Sequence, residues 1–120
     1  QPGKYREERI HPATRTFQGL RIEVNGELRA IEESLNVSWE FLAKGGRIIA
    51  MSFHSLEDRI AKHTFKTLER GCACERNDLC SCVRVPKVKI LTKKPVEPQD
   101  DEVASNRRSR SAKIRVCERI

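Results

Sequence analysis

With 120 residues, a formal charge of +7, a pI near 9.5 and 5% aromatic residues, the chain is sized for one domain with a modest core that needs no disulfide or metal to hold it. No apolar run reaches the ~20 residues of a membrane span, and the opening QPGKYREER lacks a signal-peptide apolar segment, so the sequence reads as soluble, intracellular and cytoplasmic. The basic balance points to a polyanionic partner, RNA before others.

The residues up to His11 are polar and read as a linker or a cut end. Pro12 then opens a long helix, because Phe17, Leu20, Val24, Leu28, Ile31 and Leu35 recur at spacings that place them on one face. Thr14 or Thr16 is the expected cap. Gly19 and Gly26 each weaken such a helix by up to about 1 kcal/mol relative to Ala, too little to undo the stripe. Asn36 is expected to end it, Ser38 to cap a short second helix through Leu42, and Gly45-Gly46 to turn the chain into a strand.

Ile48 to Phe53 is an apolar run without alternation, the pattern of a strand buried on both faces in a parallel sheet. In open α/β sheets ligands bind beyond the carboxyl ends of the strands, so this one would deliver Ser52, Phe53, His54 and Ser55 to a site edge, with Phe53 itself expected in the core. Ser55 and Asp58 resemble a capping box for a helix from Leu56 to Arg70. Its expected core face is Leu56, Ile60, Thr64 and Leu68 with Phe65 beside them, and Gly71 suits its end. Ser55 reads first as a cap. For His54 two readings stand: part of the turn, or a group that orients a substrate or accepts its proton.

Of the five cysteines, Cys72, Cys74, Cys80 and Cys82 crowd into one loop. An odd total with four of the five crowded into one loop makes a poor disulfide framework and fits a reducing compartment. Four thiolates can wrap one structural zinc ion, leaving no position open for catalysis, although the one-residue spacing within each pair is tighter than usual. Reduced free thiols or a redox-labile loop are the alternatives. VPKVKILTKK is a strand candidate with Val88 and Ile90 on one face, Pro95 to Asn106 a connection, and SAKIRVCERI an alternating antiparallel strand with Ala112, Ile114 and Val116 inward and Lys113, Arg115 and Cys117 on the wetter face. Basic runs flank the acidic connection, Lys93 and Lys94 closing the first and Arg107, Arg108 and Arg110 opening the second.

Three motifs, HPATRTFQGLRIEVNGEL, GGRIIAMSFHSLEDR and RSRSAKIRVCERI, in that order and covering most of the chain, resemble the ribosomal RNA small subunit methyltransferase H family. The resemblance implies an α/β fold, the C-terminal part of a class I, Rossmann-like methyltransferase: long helix, short helix, buried parallel strand, helix and terminal two-strand hairpin. Residues 1–45 would lead back from the substrate-recognition region, and residues 46–120 would end the methyltransferase domain, with the cysteine loop at 72–82. It implies transfer of a methyl group from S-adenosylmethionine to the exocyclic amine of a cytosine in small-subunit ribosomal RNA. Ser52, His54 and Ser55 would line the site, and Arg15, Arg59, Lys93, Lys94, Arg107, Arg108 and Arg110 would meet RNA.

The family's glycine-rich turn, ribose-binding acid and Ser/Pro motif are not among these residues, so the implied cofactor pocket lies elsewhere, the isolated chain is expected to be inactive, and the remaining part of the enzyme is an implied partner. Gly19 and Gly26 stand where the family usually has Ala and an acidic residue. Alternatives are a non-catalytic RNA-binding module with a zinc-stabilised loop, and a segment that self-associates through an exposed sheet edge.

Overall fold

The computed structural model describes residues 11–74 and 80–120. The polar opening stretch and the middle of the cysteine loop lie outside them. The elements are helices α1 (Pro12–Asn25) and α2 (Glu27–Ser38), a 3₁₀ turn at Trp39–Phe41, strand β1 (Arg47–Ser52), helix α3 (Ser55–Arg70), strand β2 (Val88–Ile90), helix α4 (Asp100–Ser105), a 3₁₀ turn at Arg107–Ser111 and strand β3 (Lys113–Arg119).

The long helix is broken in two. Gly26 sits in the left-handed region (φ 60°) between α1 and α2, a conformation that costs an L side chain roughly 1–2 kcal/mol and glycine little. The apolar stripe therefore does not continue as one face: Leu35 is buried, whereas Phe17, Leu20 and Val24 on α1 stay exposed. The α1 cap is His11, whose Nδ1 accepts from the Ala13 N–H at 3.1 Å, rather than Thr14 or Thr16. Helix α2 continues past Asn36, and Ser38 makes no side-chain cap for the single 3₁₀ turn that replaces the second helix.

The sheet corrects a second expectation. Its order is β1-β3-β2 and both pairings are antiparallel, with Ile48 opposite Cys117 and Ala50 opposite Arg115. β1 has no parallel neighbour among the described residues, and its burial alternates, Ile48 and Ser52 inward against Ile49 and Met51 exposed. The apolar run is apolar on both faces, but only one face is covered here. The terminal antiparallel pair is present as β2 and β3, joined through a connection that holds α4 and a 3₁₀ turn, and extended by a bridge between Val96 and Ile114.

Helix α3 covers the inner face of this sheet and α2 packs on α3. Leu35, Ile48, Ala61, Phe65, Leu68, Val88 and Cys117 form the core. The expected α3 face is rotated: Asp58, Ala61, Thr64, Phe65 and Leu68 are buried while Leu56 is exposed. On β3 the two faces are exchanged, because Arg115 and Cys117 point into the core. A single contact explains both shifts. The Arg115 guanidinium grips Asp58 in a two-pronged ion pair, Nε to Oδ1 at 2.6 Å and Nη2 to Oδ2 at 3.0 Å, so two charged residues occupy positions that a pattern of apolar residues assigns elsewhere.

At the other end of the sheet, Lys87 and Arg119 both lie over the Trp39 ring, at 4.8 and 5.5 Å from its centre, and Arg119 also donates to the Leu42 carbonyl. Gly71 ends α3 as expected (φ 76°), and no larger residue fits: a Cβ would lie 2.4 Å from the Val85 carbonyl carbon.

The Asp58 carboxyl is held below its ordinary value by the Arg115 hydrogen bond, against the opposing effect of burial. Asp58→Asn should lower stability by about 3 kcal/mol, read as a shift in the urea midpoint, because it strands the buried guanidinium. A depressed carboxyl contributes fully at neutral pH and loses its contribution as pH falls from about 4 through the folded-state value. That part of the acid transition should be missing in Asp58→Asn, and an acid profile identical to the wild type would refute the assignment.

Candidate functional site

The turn after β1 is locked by reciprocal bonds. His54 is the α3 cap, its Nδ1 accepting from the Glu57 N–H at 3.4 Å, while Glu57 Oε2 accepts from the Phe53 N–H at 3.0 Å. This is the logic of a capping box displaced one residue from the Ser55 and Asp58 reading. An Nδ1 that accepts leaves the proton of the neutral ring on Nε2. That atom is buried without an aligned hydrogen-bond partner and lies 3.3 Å from Glu57 Oε1. Both ring nitrogens of His54 therefore face the turn. Ser52 is buried too, its hydroxyl directed to the Lys113 carbonyl at 3.5 Å. Ser55 is exposed, and Phe53 stands 53% exposed instead of entering the core.

Phe53, His54 and Ser55 border a cleft of about 800 Å³ whose other walls are Thr14, Arg15, Phe17, Gln18 and Arg21 from α1, and Ser111 and Lys113 before and within β3. Next to it, sharing Phe53 and Ser111, is a second hollow lined by Arg107, Arg108 and Arg110. The structure thus gathers four of the seven sequence-predicted RNA contacts, Arg15, Arg107, Arg108 and Arg110, at the carboxyl end of β1. Among the described residues none of these four has an ion-pair partner, whereas Arg29, Arg47 and Arg115 are each paired with a carboxylate.

The remaining three lie apart. Arg59 lines a hollow between α2 and α3 with Glu32 and His63, Lys93 borders one with Lys62 and Lys66, and Lys94 is exposed beyond β2. Arg21 and Phe17 carry no sequence signal that marks them as site residues. Arg21 looks like any surface arginine there, and Phe17 belongs to an apolar stripe; only the break at Gly26 leaves that stripe beside the cleft.

At the opposite end of α3 the cysteine loop places thiols together. The Sγ atoms of Cys72, Cys74 and Cys80 all lie within 4.8 Å of one another, a group able to take a metal ion, and Cys74 Sγ is 3.4 Å from Cys82 Sγ. The Cys80 thiol is lowered to about 7, chiefly by a hydrogen bond from the Cys82 backbone, while that of Cys74 is raised to about 12 by its side-chain bond with Cys80. Cys117 is buried in the core, and burial pushes its thiol up to about 11.

The sequence matches the model described as the MraW methylase family over residues 1–120. The chain belongs to the MraW methylase family. It is 56% identical over 115 residues to a protein of Geotalea daltonii, covering 95% of this chain and 37% of that relative. It is 48% identical over 120 residues to one of Syntrophus aciditrophicus and 50% identical over 120 residues to one of Clostridium botulinum, in each case covering 99% of this chain and 38% of the relative. All three relatives bear the name ribosomal RNA small subunit methyltransferase H. This member of the MraW methylase family thus spans well under half the length of the curated relatives it matches. No helix among its described residues is long and apolar enough to cross a membrane.

The His54 cap is separable from chemistry by substitution. His54→Ala should lower stability by about 1 kcal/mol, and His54→Asn, which retains a cap acceptor, should restore most of it in thermal melts. Equal loss in both variants would show that the ring does something other than cap α3.

Proposed function

We propose that this chain supplies the substrate side of an S-adenosylmethionine-dependent methyltransferase acting on the exocyclic amine of a cytosine in small-subunit ribosomal RNA. The carrying observation is the cleft at the carboxyl end of β1, where Arg15, Arg107, Arg108 and Arg110, which have no ion-pair partner among the described residues, come from two distant segments to an exposed aromatic ring. The names and identities of its relatives support the same reading.

The residues present do not fit the methyl donor. A nucleoside cofactor needs a glycine-rich turn after a strand so that the backbone can approach it closely. The direct strand-to-helix turn here, Phe53-His54, has no glycine, and Gly45-Gly46 precedes its strand. In this reading the donor is held by residues outside this chain. The bare outer face of β1 at Ile49 and Met51 supports the view that further layers of a class I sheet complete the fold.

What these residues do is hold and aim the RNA. Arg15, Arg107, Arg108 and Arg110 bind phosphates, a sequence-independent attraction that positions the strand. Phe53 offers a ring on which an unstacked base can lie. The Ser55 hydroxyl, open to the cleft, accepts a hydrogen bond from the target amine and so turns the nitrogen lone pair towards its electrophile. His54 with Glu57 is a positioning pair that fixes the Phe53–Ser55 turn, and Ser52 ties the end of β1 to β3. Arg59, Lys93 and Lys94 are outlying contacts for RNA that continues past the cleft.

Binding of a ribosomal RNA hairpin, followed by anisotropy across a salt series, tests the phosphate contacts. Replacing Arg107, Arg108 and Arg110 together by Ala should flatten the slope of log K against log salt by roughly two to three, since each lost contact removes about 0.7–0.9. An unchanged slope would remove these arginines from the interface. Separately, calorimetric titration of S-adenosylmethionine into this folded chain should give no saturable heat. One-to-one binding would show that a cofactor pocket exists within these residues.

A further inference from the structure

We infer that Cys72, Cys74, Cys80 and Cys82 form a tetrathiolate site for one structural zinc ion that clamps the loop between α3 and β2. This inference is independent of the proposed methyltransferase function. The base of the loop is closed by backbone hydrogen bonds. The Val85 N–H donates to the Gly71 carbonyl at 3.3 Å and the Lys87 N–H to the Leu68 carbonyl at 2.9 Å, so the two cysteine-bearing arms leave and return side by side. The Arg70 Nε bonds the Cys72 carbonyl at 3.2 Å and fixes the outgoing arm.

The one-residue spacing within each pair is the obvious objection. In an extended segment, residues two apart share a face but stand too far apart along the chain for one ion. The backbone bends at Cys72 and again at Cys74, which folds the outgoing pair inward and brings both sulfurs into one cluster with Cys80. Cys82 reaches this group of three through Cys74 alone and has to close on the other sulfurs when the ion binds, whereas the two cross-arm separations already approach those the ion needs. Zinc holds thiolates at about 2.3 Å in a tetrahedron, whose edges are then about 3.8 Å. The cross-arm pairs, Cys72 with Cys80 and Cys74 with Cys82, are 3.8 and 3.4 Å apart. Each pair joins the outgoing arm to the returning one, so an ion bound by all four would staple the arms across the loop. Four sulfurs leave no position for water, and the ion is accordingly structural. The formal charge of −2 on such a site lies beside the Arg70 guanidinium.

The test uses this chain purified under reducing conditions, with zinc and cobalt(II) as probes. The expected results are one zinc per chain by elemental analysis and, on cobalt exchange, the intense sulfur-to-metal charge-transfer band and visible bands of tetrahedral cobalt thiolate. Changes to groups outside the coordination shell already cost metal sites roughly 10–100-fold in affinity, so Cys72→Ser and Cys80→Ser should each lose more than about a hundredfold. Cys117→Ala, outside the cluster, should keep the ion. Cys82→His, which preserves four ligands, should keep a tetrahedral cobalt spectrum with weaker charge transfer, and it separates loss of a ligand from loss of the fold. Substoichiometric zinc with no tetrahedral cobalt bands, another metal in its place, or cross-arm disulfides in the reduced preparation would each overturn the assignment.

Discussion

The Asp58–Arg115 ion pair fixes what the apolar core leaves free. The buried residues of α3, Ala61, Thr64, Phe65 and Leu68, are spaced at three and four, so a helix slipped by one turn would still present an apolar stripe to the sheet. A two-pronged contact between a carboxylate in the first turns of α3 and a guanidinium in the middle of β3 has one register only. Buried ion pairs are often no more stabilising than the hydrophobic residues that could replace them. Here the pair sets position: the Phe53–Ser55 turn lies just upstream of Asp58, and Lys113, a wall of the cleft, lies two residues before Arg115.

That placement explains why charge is concentrated at one end of β1. Elsewhere acidic side chains are spent on arginines in ion pairs, Glu33 on Arg29, Glu118 on Arg47 and Asp58 on Arg115. Around the cleft, Arg21 is paired with Glu27 at 3.3 Å, whereas Arg15, Arg107, Arg108 and Arg110 are left with their charge uncompensated among the described residues. At physiological ionic strength the screening length is about 8 Å, so clustering matters more than the net charge of the chain. Several cations within one hollow act on the same phosphates, whereas Lys93 and Arg59, in separate hollows, reach only RNA that extends beyond it.

Much of this was legible in the residues. The strand through Ile48, the helix ending at Gly71 and the antiparallel pairing of β2 with β3 follow from apolar spacing, a left-handed glycine and alternation. The misreadings share one cause, that a one-dimensional pattern records polarity but not partners. Arg115 looks like the wet face of a strand until Asp58 is found opposite it, and with that pair the inner faces of α3 and β3 both change. Ile49 and Met51 look buried because their chemistry is apolar, yet nothing among the described residues covers them. Gly26 reads as a weak point in a long helix. Only its left-handed backbone makes it a break, and that break leaves Phe17 exposed beside the cleft.

Helix α3 sets the distance between the two chemically distinctive regions. Its 16 residues span about 24 Å at 1.5 Å per residue, with the capped turn at its amino end and the cysteine cluster beyond its carboxyl end. A metal at the cluster can therefore touch nothing bound in the cleft. Its influence has to pass through the backbone it fixes, and the route is short. The returning arm leads through Val85 and Lys87 into β2; β2 pairs with β3 at Val88 and Ile90; and β3 carries both Arg115, which registers α3, and Lys113, which borders the cleft. Since β2 is only three residues long, its own ladder gives little cooperative hold on the sheet. A clamped loop at its entrance would supply much of the constraint that so short a strand lacks.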